Sequence, residues 1–496
     1  MNLNAVLSEK GYIFPAFDIE KVKAASVKEP EWLHFGAGNL FRAFPAVLQQ
    51  GLIERGLSGK GITVCEEFDG EIIEKAYTPF GNQHLSVTLG ADGSCVKRVV
   101  ASVAEAFTAS GNYQRLAEIC ASPALKIISL TVTEKGYQSR NLIELIAKLC
   151  RERYSAGGEP IALLSLDNCS KNGDVLKAAI AAIAEEWKDG GFCDYLNDSR
   201  RVSFPLSMID KITPRPSEEV AAMLERDGFP HREIFKTAKN THIAAFVNAE
   251  SAQYLAIEDK FPNGRPPLER EGVIFCDRET VDRIEAMKVR TALNPLHTAM
   301  SIFARLFGYG YVYEAMRDGG IKGFITKLGH DELMPMAVNP GVIDPSAFMD
   351  EVINERFPNP YIPDMPQRIL CDTSQKMPVR FGETLKAYAE KSPERLSDLT
   401  LIPLVIAGWL RYLKGEDDAG NPIELSPDPL LGELKGLSAD EILAREDIFG
   451  INILACPLAE KVKGMLGEMS AGKGAVRAVF ERTATGAFTV KTAFSF

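Results

Sequence analysis

The run KVRTALNPLH brings Lys288, Asn294 and His297 together in a segment whose apolar spacing predicts helix over 279–293 and again over 295–306. A lysine, a neutral amide and an imidazole are residue types that reversible oxidation of a carbon-bound hydroxyl can use. That chemistry needs a base for the hydroxyl proton and donors for the oxygen that develops charge. Lys288 lies in the amphipathic run RIEAMKVRTAL. It acts as a base near neutral pH only where desolvation or neighbouring cations lower its pKa; its ordinary alternative is a solvated helix lysine. Asn294 precedes Pro295, a natural N-cap and first-turn pair, so capping alone would also explain it. His297 falls about one turn later and shares a face with Asn294. A second amide, Asn168, follows the apolar run IALLSL at 161–166, and it can polarise a carbonyl without titrating.

Oxidation of this kind also needs a hydride acceptor, and the chain offers a cradle for one. The strand-like WLHF runs straight into Gly36-Ala37-Gly38-Asn39-Leu40, and a helical pattern over 41–55 follows. Two glycines there permit a tight turn and close approach of a pyrophosphate to the backbone. The next β-rich run, GITVC at 61–65, ends in Glu66-Glu67, with Asp69 just beyond. Glu66 and Asp69 are placed to hold ribose hydroxyls and to repel an extra phosphate, which favours NAD over NADP. Phe41 stands where the third glycine of the fingerprint would be, so a tight turn of any α/β protein is the competing reading.

These residues require a framework of alternating strands and helices. Further β-rich runs lie at 126–130 and 161–166, with a helical pattern at 175–187, which predicts a mostly parallel sheet. Residues 85–100 form two β runs around Asp-Gly and predict an inserted antiparallel hairpin. After GVIFC the patterns turn helical, at 279–293, 295–306, 384–392, 398–412 and 458–480, around a proline-rich loop at 357–366. The expected fold is α/β: a Rossmann-type doubly wound domain, 1–278, followed by a mostly α-helical substrate-binding and catalytic domain, 279–496.

A net charge of −11 argues against nucleic acid or an anionic membrane as a partner, though not against a small anion in a basic cleft. Nine scattered cysteines without a CxxC pair favour reduced thiols in a cytoplasmic protein. The six histidines show no paired metal-ligand spacing, so no metal is expected. No apolar run is long enough for a membrane span.

The ordered set GAGNLFRA, SLTVTEKGY (129–137), Asp167-Asn168 with Lys171-Asn172-Gly173, SMIDKITP (207–214), IEDKFPNGRP (257–266), Lys288…Asn294…His297 and residues 357–376 resembles the long-chain mannitol dehydrogenase family. The resemblance implies an NAD-dependent, metal-free oxidoreductase acting on a sugar acid or polyol, working as a monomer or weak homo-oligomer. It implies that Asn168 and Asn294 hold the reacting oxygen, Lys288 moves the proton and His297 binds a neighbouring hydroxyl. It further implies that Arg368 and Lys376 meet a hexonate carboxylate, that Glu134 gates proton exchange, and that Asp210 and Lys211 line the nicotinamide side. Residues 292–311 look most like the branch interconverting D-fructuronate and D-mannonate; mannitol oxidation or tagaturonate reduction is the second reading. Two features depart from the family. It commonly places one residue fewer between the lysine and the asparagine, and it often carries Asn where Leu206 precedes SMID.

Two rivals come from elsewhere. GEMSAGK at 467–473 fits the start of a phosphate-binding P-loop, but Gly474 replaces the Ser or Thr that would hold magnesium, and no strand precedes it. A catalytically dead nucleotide-binding module would not need Lys288, Asn294, His297 and Asn168 together.

Overall fold

The computed structural model describes residues 3–132 and 134–485. The chain forms two compact units, Met1–Asp282 and Arg283–Phe496. The division falls inside the helix Arg278–Met287.

The first unit is built on six parallel strands: β1 (Trp32–Phe35), β2 (Ile62–Glu66), β3 (Val103–Thr108), β4 (Ile127–Leu130), β5 (Ile161–Ser165) and β6 (Val202–Ser203). Their spatial order is β3-β2-β1-β4-β5-β6, the order of a doubly wound dinucleotide-binding sheet. Successive side chains feed opposite faces, as the pleat requires. Leu33, Phe35, Ile128, Leu130, Ile161 and Leu163 pack on one side against the helices Tyr113–Ala121, Arg140–Ser155 and Asn172–Glu186. Trp32, Ile127 and Leu164 pack on the other, against Phe41, Leu48 and Leu52. Each such apolar side chain contributes about 1.5–3 kcal/mol on burial, so both faces must be covered and the strands read as continuous apolar runs.

The expected hairpin forms, with His84–Leu89 antiparallel to Cys95–Val100 and Leu85 opposite Val99. It belongs to a separate four-stranded sheet, flanked by Phe246–Glu250 and Tyr12–Ile13. The SMID strand, Ser207–Asp210, lies in a third sheet, antiparallel to Tyr254–Glu258. The single helix expected over 41–55 is instead two, Asn39–Ala43 and Pro45–Glu54. Proline lacks the N–H that would continue the first helix, and Phe44 leaves the helical region with φ −133°.

The second unit is helical, and among its described residues four turns are widened to π geometry: Lys288–Ala292, Leu328–Leu333, Val352–Arg356 and Pro378–Gly382. The pattern over 458–480 breaks into Ala459–Met469 and Ala475–Ala484. GEMSAGK therefore lies at a helix end and in the following turn. No strand leads into it, so the P-loop reading fails on geometry. Among the described residues no helix is long and apolar enough to cross a membrane, and no group of three His, Cys, Asp or Glu could hold a metal ion.

Candidate functional site

The first unit presents its candidate site where the strand order reverses, between β1 and β4. Gly36 has φ +107°, and a Cβ there would stand 2.8 Å from both the carbonyl and the hydroxyl oxygen of Thr131. Only glycine fits that position. Gly38 differs: its φ is −75°, and a Cβ on it would meet nothing within 4 Å. The space over Gly38 is open to a ligand. Next to it, the side-chain oxygen of Asn39 is buried without a partner, while its amide nitrogen donates to the Pro214 carbonyl at 3.4 Å. A bare turn and an orphaned acceptor fit a dinucleotide that lays its phosphates on the backbone and offers hydroxyls nearby.

Glu66 is placed differently from a free ribose ligand. One oxygen accepts the Ala37 N–H at 2.8 Å, and the other accepts the N–H groups of Phe68 and Asp69 at 2.9 and 3.0 Å. The carboxylate thus ties the end of β2 to the glycine turn. Asp69 is buried too, and accepts the Thr237 hydroxyl at 2.7 Å.

A cleft of about 740 Å³ opens beside the turn, lined by Leu40, Val132, Tyr137, Asp167, Asn168 and Cys169 among others. It sits past the carboxyl ends of β1, β4 and β5, where open α/β sheets bind ligands. Asn168 is exposed on its wall. Behind it, Asp167 accepts the Tyr137 hydroxyl and the Cys169 N–H, and burial holds its carboxyl above the usual range. Glu134 opens the short helix Glu134–Tyr137, but its side chain lies outside the described residues.

Asn172 fixes the neighbouring SMID strand. Its amide donates to the Ser207 carbonyl and hydroxyl, both at 3.1 Å, and its oxygen accepts the Ser207 and Gly173 N–H groups at 3.1 and 2.8 Å. The Asn-Gly element and SMID are two halves of one clamp. It presents Asp210, buried in the strand, and Lys211, whose ammonium donates to the Glu250 carbonyl at 3.0 Å and to Gln253 at 2.6 Å. Leu206, in the position where the family often has Asn, is buried.

The second unit holds the lysine. Lys288 opens the π-turn Lys288–Ala292 and is only 7% exposed. The turn closes through the Leu293 N–H onto the Lys288 carbonyl at 3.1 Å. Compared with a regular helix, the π-turn lengthens the path from Lys288 to Asn294 by one residue. Asn294 is the first helical residue rather than the expected cap; Leu293 holds the N-cap position, with its carbonyl accepting the His297 N–H at 2.9 Å.

His297 stacks on Phe357 with ring centres 5.0 Å apart, and its Nε2 lies 3.4 Å from Asp364. Burial, together with the charges of Arg380, Arg356 and Arg368, outweighs Asp364 and lowers its pKa to about 4, so the ring is neutral at neutral pH. Arg368 is 78% exposed and pairs with Asp364 at 2.9 Å. Lys376 turns its ammonium onto the Ile369 carbonyl at 3.1 Å and onto that of Cys371. Arg380, on the π-turn Pro378–Gly382, donates to the Thr298 hydroxyl next to His297. Asp364 lies inside the 357–376 motif and Arg380 just beyond it, but nothing in the local sequence says that either reaches the helix of His297. Within the second unit, then, His297, Arg368 and Asp364 come together, with Arg380 beside them; Asn168 belongs to the first unit.

Comparison with known proteins adds a further set of findings. Residues 30–270 match the description "Mannitol dehydrogenase Rossmann domain", and residues 280–462 match "Mannitol dehydrogenase C-terminal domain". The chain is 46% identical to the D-mannonate oxidoreductase of Thermotoga maritima, over 94% of this chain and 95% of that one. It is 30% identical to a mannitol 2-dehydrogenase of Pyrenophora tritici-repentis, over 84% of this chain and 75% of the relative. Among solved structures, a Pseudomonas fluorescens mannitol 2-dehydrogenase in ternary complex with NAD and D-mannitol matches with a TM-score of 0.68 at 26% identity, covering 95% of this chain and 96% of that one.

Proposed function

Because the chain belongs to the mannitol dehydrogenase family, we propose that it is an NAD-dependent oxidoreductase interconverting D-mannonate and D-fructuronate, acting in the cytoplasm as a monomer or weak homo-oligomer. The observation that carries the choice of substrate is the charge around His297. The guanidiniums of Arg380, Arg356 and Arg368 all act on the ring, as does the carboxylate of Asp364. Guanidiniums gathered at that ring suit an anionic substrate better than a neutral polyol. The 46% identity to a D-mannonate oxidoreductase favours the same reading.

The first unit supplies the cofactor cradle, with Gly36, Gly38, Asn39 and Leu40 at the phosphates and Glu66, Asp69, Asp210 and Lys211 shaping the rest. A nicotinamide nucleotide held there would supply or accept the hydride at the substrate carbon. Lys288 takes the hydroxyl proton in oxidation and returns it in reduction. The Asn168 and Asn294 amides donate to the reacting oxygen, where charge develops. Neutral His297 binds the adjoining hydroxyl, and Glu134 links the proton to solvent. Arg368 and Lys376 add positive charge toward the carboxylate end.

The test is NADH oxidation with D-fructuronate, D-tagaturonate and D-fructose. Fructuronate should give the highest kcat/KM. Fructose outperforming both uronates would overturn the sugar-acid reading and leave the family intact.

A further inference from the structure

We propose that Arg380 is the residue that reads the substrate's carboxylate and so separates sugar acids from neutral ketoses and polyols. This rests on the sugar-acid reading above and names the group that would enforce it.

Arg356 is buried and already engaged; the three other cations in this region are candidates, and their surroundings separate them. Arg368 is mostly exposed, and its guanidinium is matched by Asp364 at 2.9 Å. A carboxylate arriving there would compete with one already bound. Lys376 has its ammonium on the carbonyls of Ile369 and Cys371, where it ties helix Pro366–Ile369 to the following turn. Arg380 is half-buried, and among the described residues its one partner is the Thr298 hydroxyl. It has no carboxylate partner there. Burial lowers its pKa to about 10 with no acid acting against the shift, yet it stays charged at neutral pH. A partly dry guanidinium with a single neutral partner is costly until an anion meets its remaining N–H groups, and a planar carboxylate fits that fork.

Its placement agrees with that role. Thr298 follows His297 on the helix Asn294–Leu306, so the bond from Arg380 fixes a positive group one residue from the imidazole. The π-turn carrying Arg380 packs against the π-turn carrying Lys288. The guanidinium therefore stands beside the imidazole, on the turn that packs against the one carrying the lysine. A neutral polyol would leave the guanidinium unmatched, a penalty that discriminates more strongly than a missing apolar contact.

The experiment compares the wild type with Arg380→Met and Arg380→Lys, using D-fructuronate and the neutral ketose D-fructose. In Arg380→Met the KM for fructuronate should rise about 100-fold, with a much smaller change in kcat. Arg380→Lys should recover part of the loss, and the uronate-to-ketose ratio of kcat/KM should fall accordingly. An unchanged uronate KM, or an equal loss on both substrates, would overturn the proposal. Calorimetric binding of D-mannonate against D-mannitol provides a readout without turnover. If the wild type reduces no uronate, the functional reading fails. Arg380 is then judged by whether D-mannonate binds the wild type and is lost in Arg380→Met; equal binding by both proteins overturns its role.

Discussion

The Leu293 N–H donates to the Lys288 carbonyl at 3.1 Å, a bond that spans five residues where an α-helix would span four. Helix Arg278–Met287 thus ends in a widened turn, and a new helix starts at Asn294. The buried residues of this turn, Lys288, Thr291 and Ala292, anchor it in the unit's interior, and the Thr291 hydroxyl donates back to the Met287 carbonyl at 2.7 Å. Lys288 is therefore held by backbone closure as well as by packing. Replacing Lys288 with Met keeps the stem and removes the ammonium. Turnover should fall by about 10²–10⁴, while the NADH Kd measured by fluorescence titration stays within a few-fold. Turnover close to wild type would remove Lys288 from the proton path.

The two glycines of the turn should respond to alanine in opposite ways. In Gly36→Ala the new methyl meets Thr131 at 2.8 Å on a backbone with φ +107°. Thermal melting should report a loss of about 1–3 kcal/mol. In Gly38→Ala the methyl enters open space at φ −75°, so Tm should hardly move. The same methyl occupies the volume assigned to the phosphates, and NADH affinity should drop at least about tenfold. A Gly38→Ala protein with normal affinity would place the nucleotide elsewhere.

Legibility in the sequence followed local chemistry. β1, β2, β4 and β5 are buried on both faces, so their apolar runs are plain. β3, VAEAFT, sits at the sheet edge with mixed polarity, and β6 has only two residues; neither gives a local signal. The break at Pro45 had its cue in the proline itself. The π-turn at Lys288 leaves the amphipathic pattern unchanged, and its only cue is the six-residue spacing from Lys288 to Asn294. Asn168, Lys288, Asn294 and His297 are proposed from motif order. The partners that tune them are not: Asp364 and Arg380 reach His297 and Thr298 only through tertiary folding. Glu66 was legible as an acid at a strand end, but its engagement with three backbone N–H groups depends on how the chain returns past Ala37.

That engagement separates two roles for Glu66. A residue anchoring the turn and a residue reading the ribose predict different outcomes for Glu66→Gln. The amide would put an NH₂ group against a backbone N–H, leaving buried donors unpaired at a cost of about 1–3 kcal/mol. Tm and NADH affinity should therefore fall together, with no gain in NADPH binding. Better NADPH binding at an unchanged Tm would instead make Glu66 the ribose reader.

His297 makes stability depend on pH in a defined window. Its pKa in the folded chain is about 4, against an ordinary 6.5, with burial the largest cause. Between those values the unfolded chain takes up a proton that the folded chain refuses, so acid favours unfolding. The sign is therefore fixed: stability from this group is whole above pH 6.5 and is lost as pH falls toward 4. A tenfold difference in proton affinity between the two states corresponds to about 1.4 kcal/mol, so His297 contributes about 3 kcal/mol to that loss. His34 and His84, pushed to about 3 by burial, act in the same direction. Urea unfolding at pH 7.0, 5.5 and 4.5 should show a falling midpoint in the wild type. In His297→Asn the fall should be shallower, because that side chain does not titrate. Equal slopes in the two proteins would mean that the imidazole is protonated in the folded chain, paired as a cation with Asp364. It would then bind substrate as a charged donor, and kcat/KM would carry an inflection near neutral pH that a neutral ring does not produce.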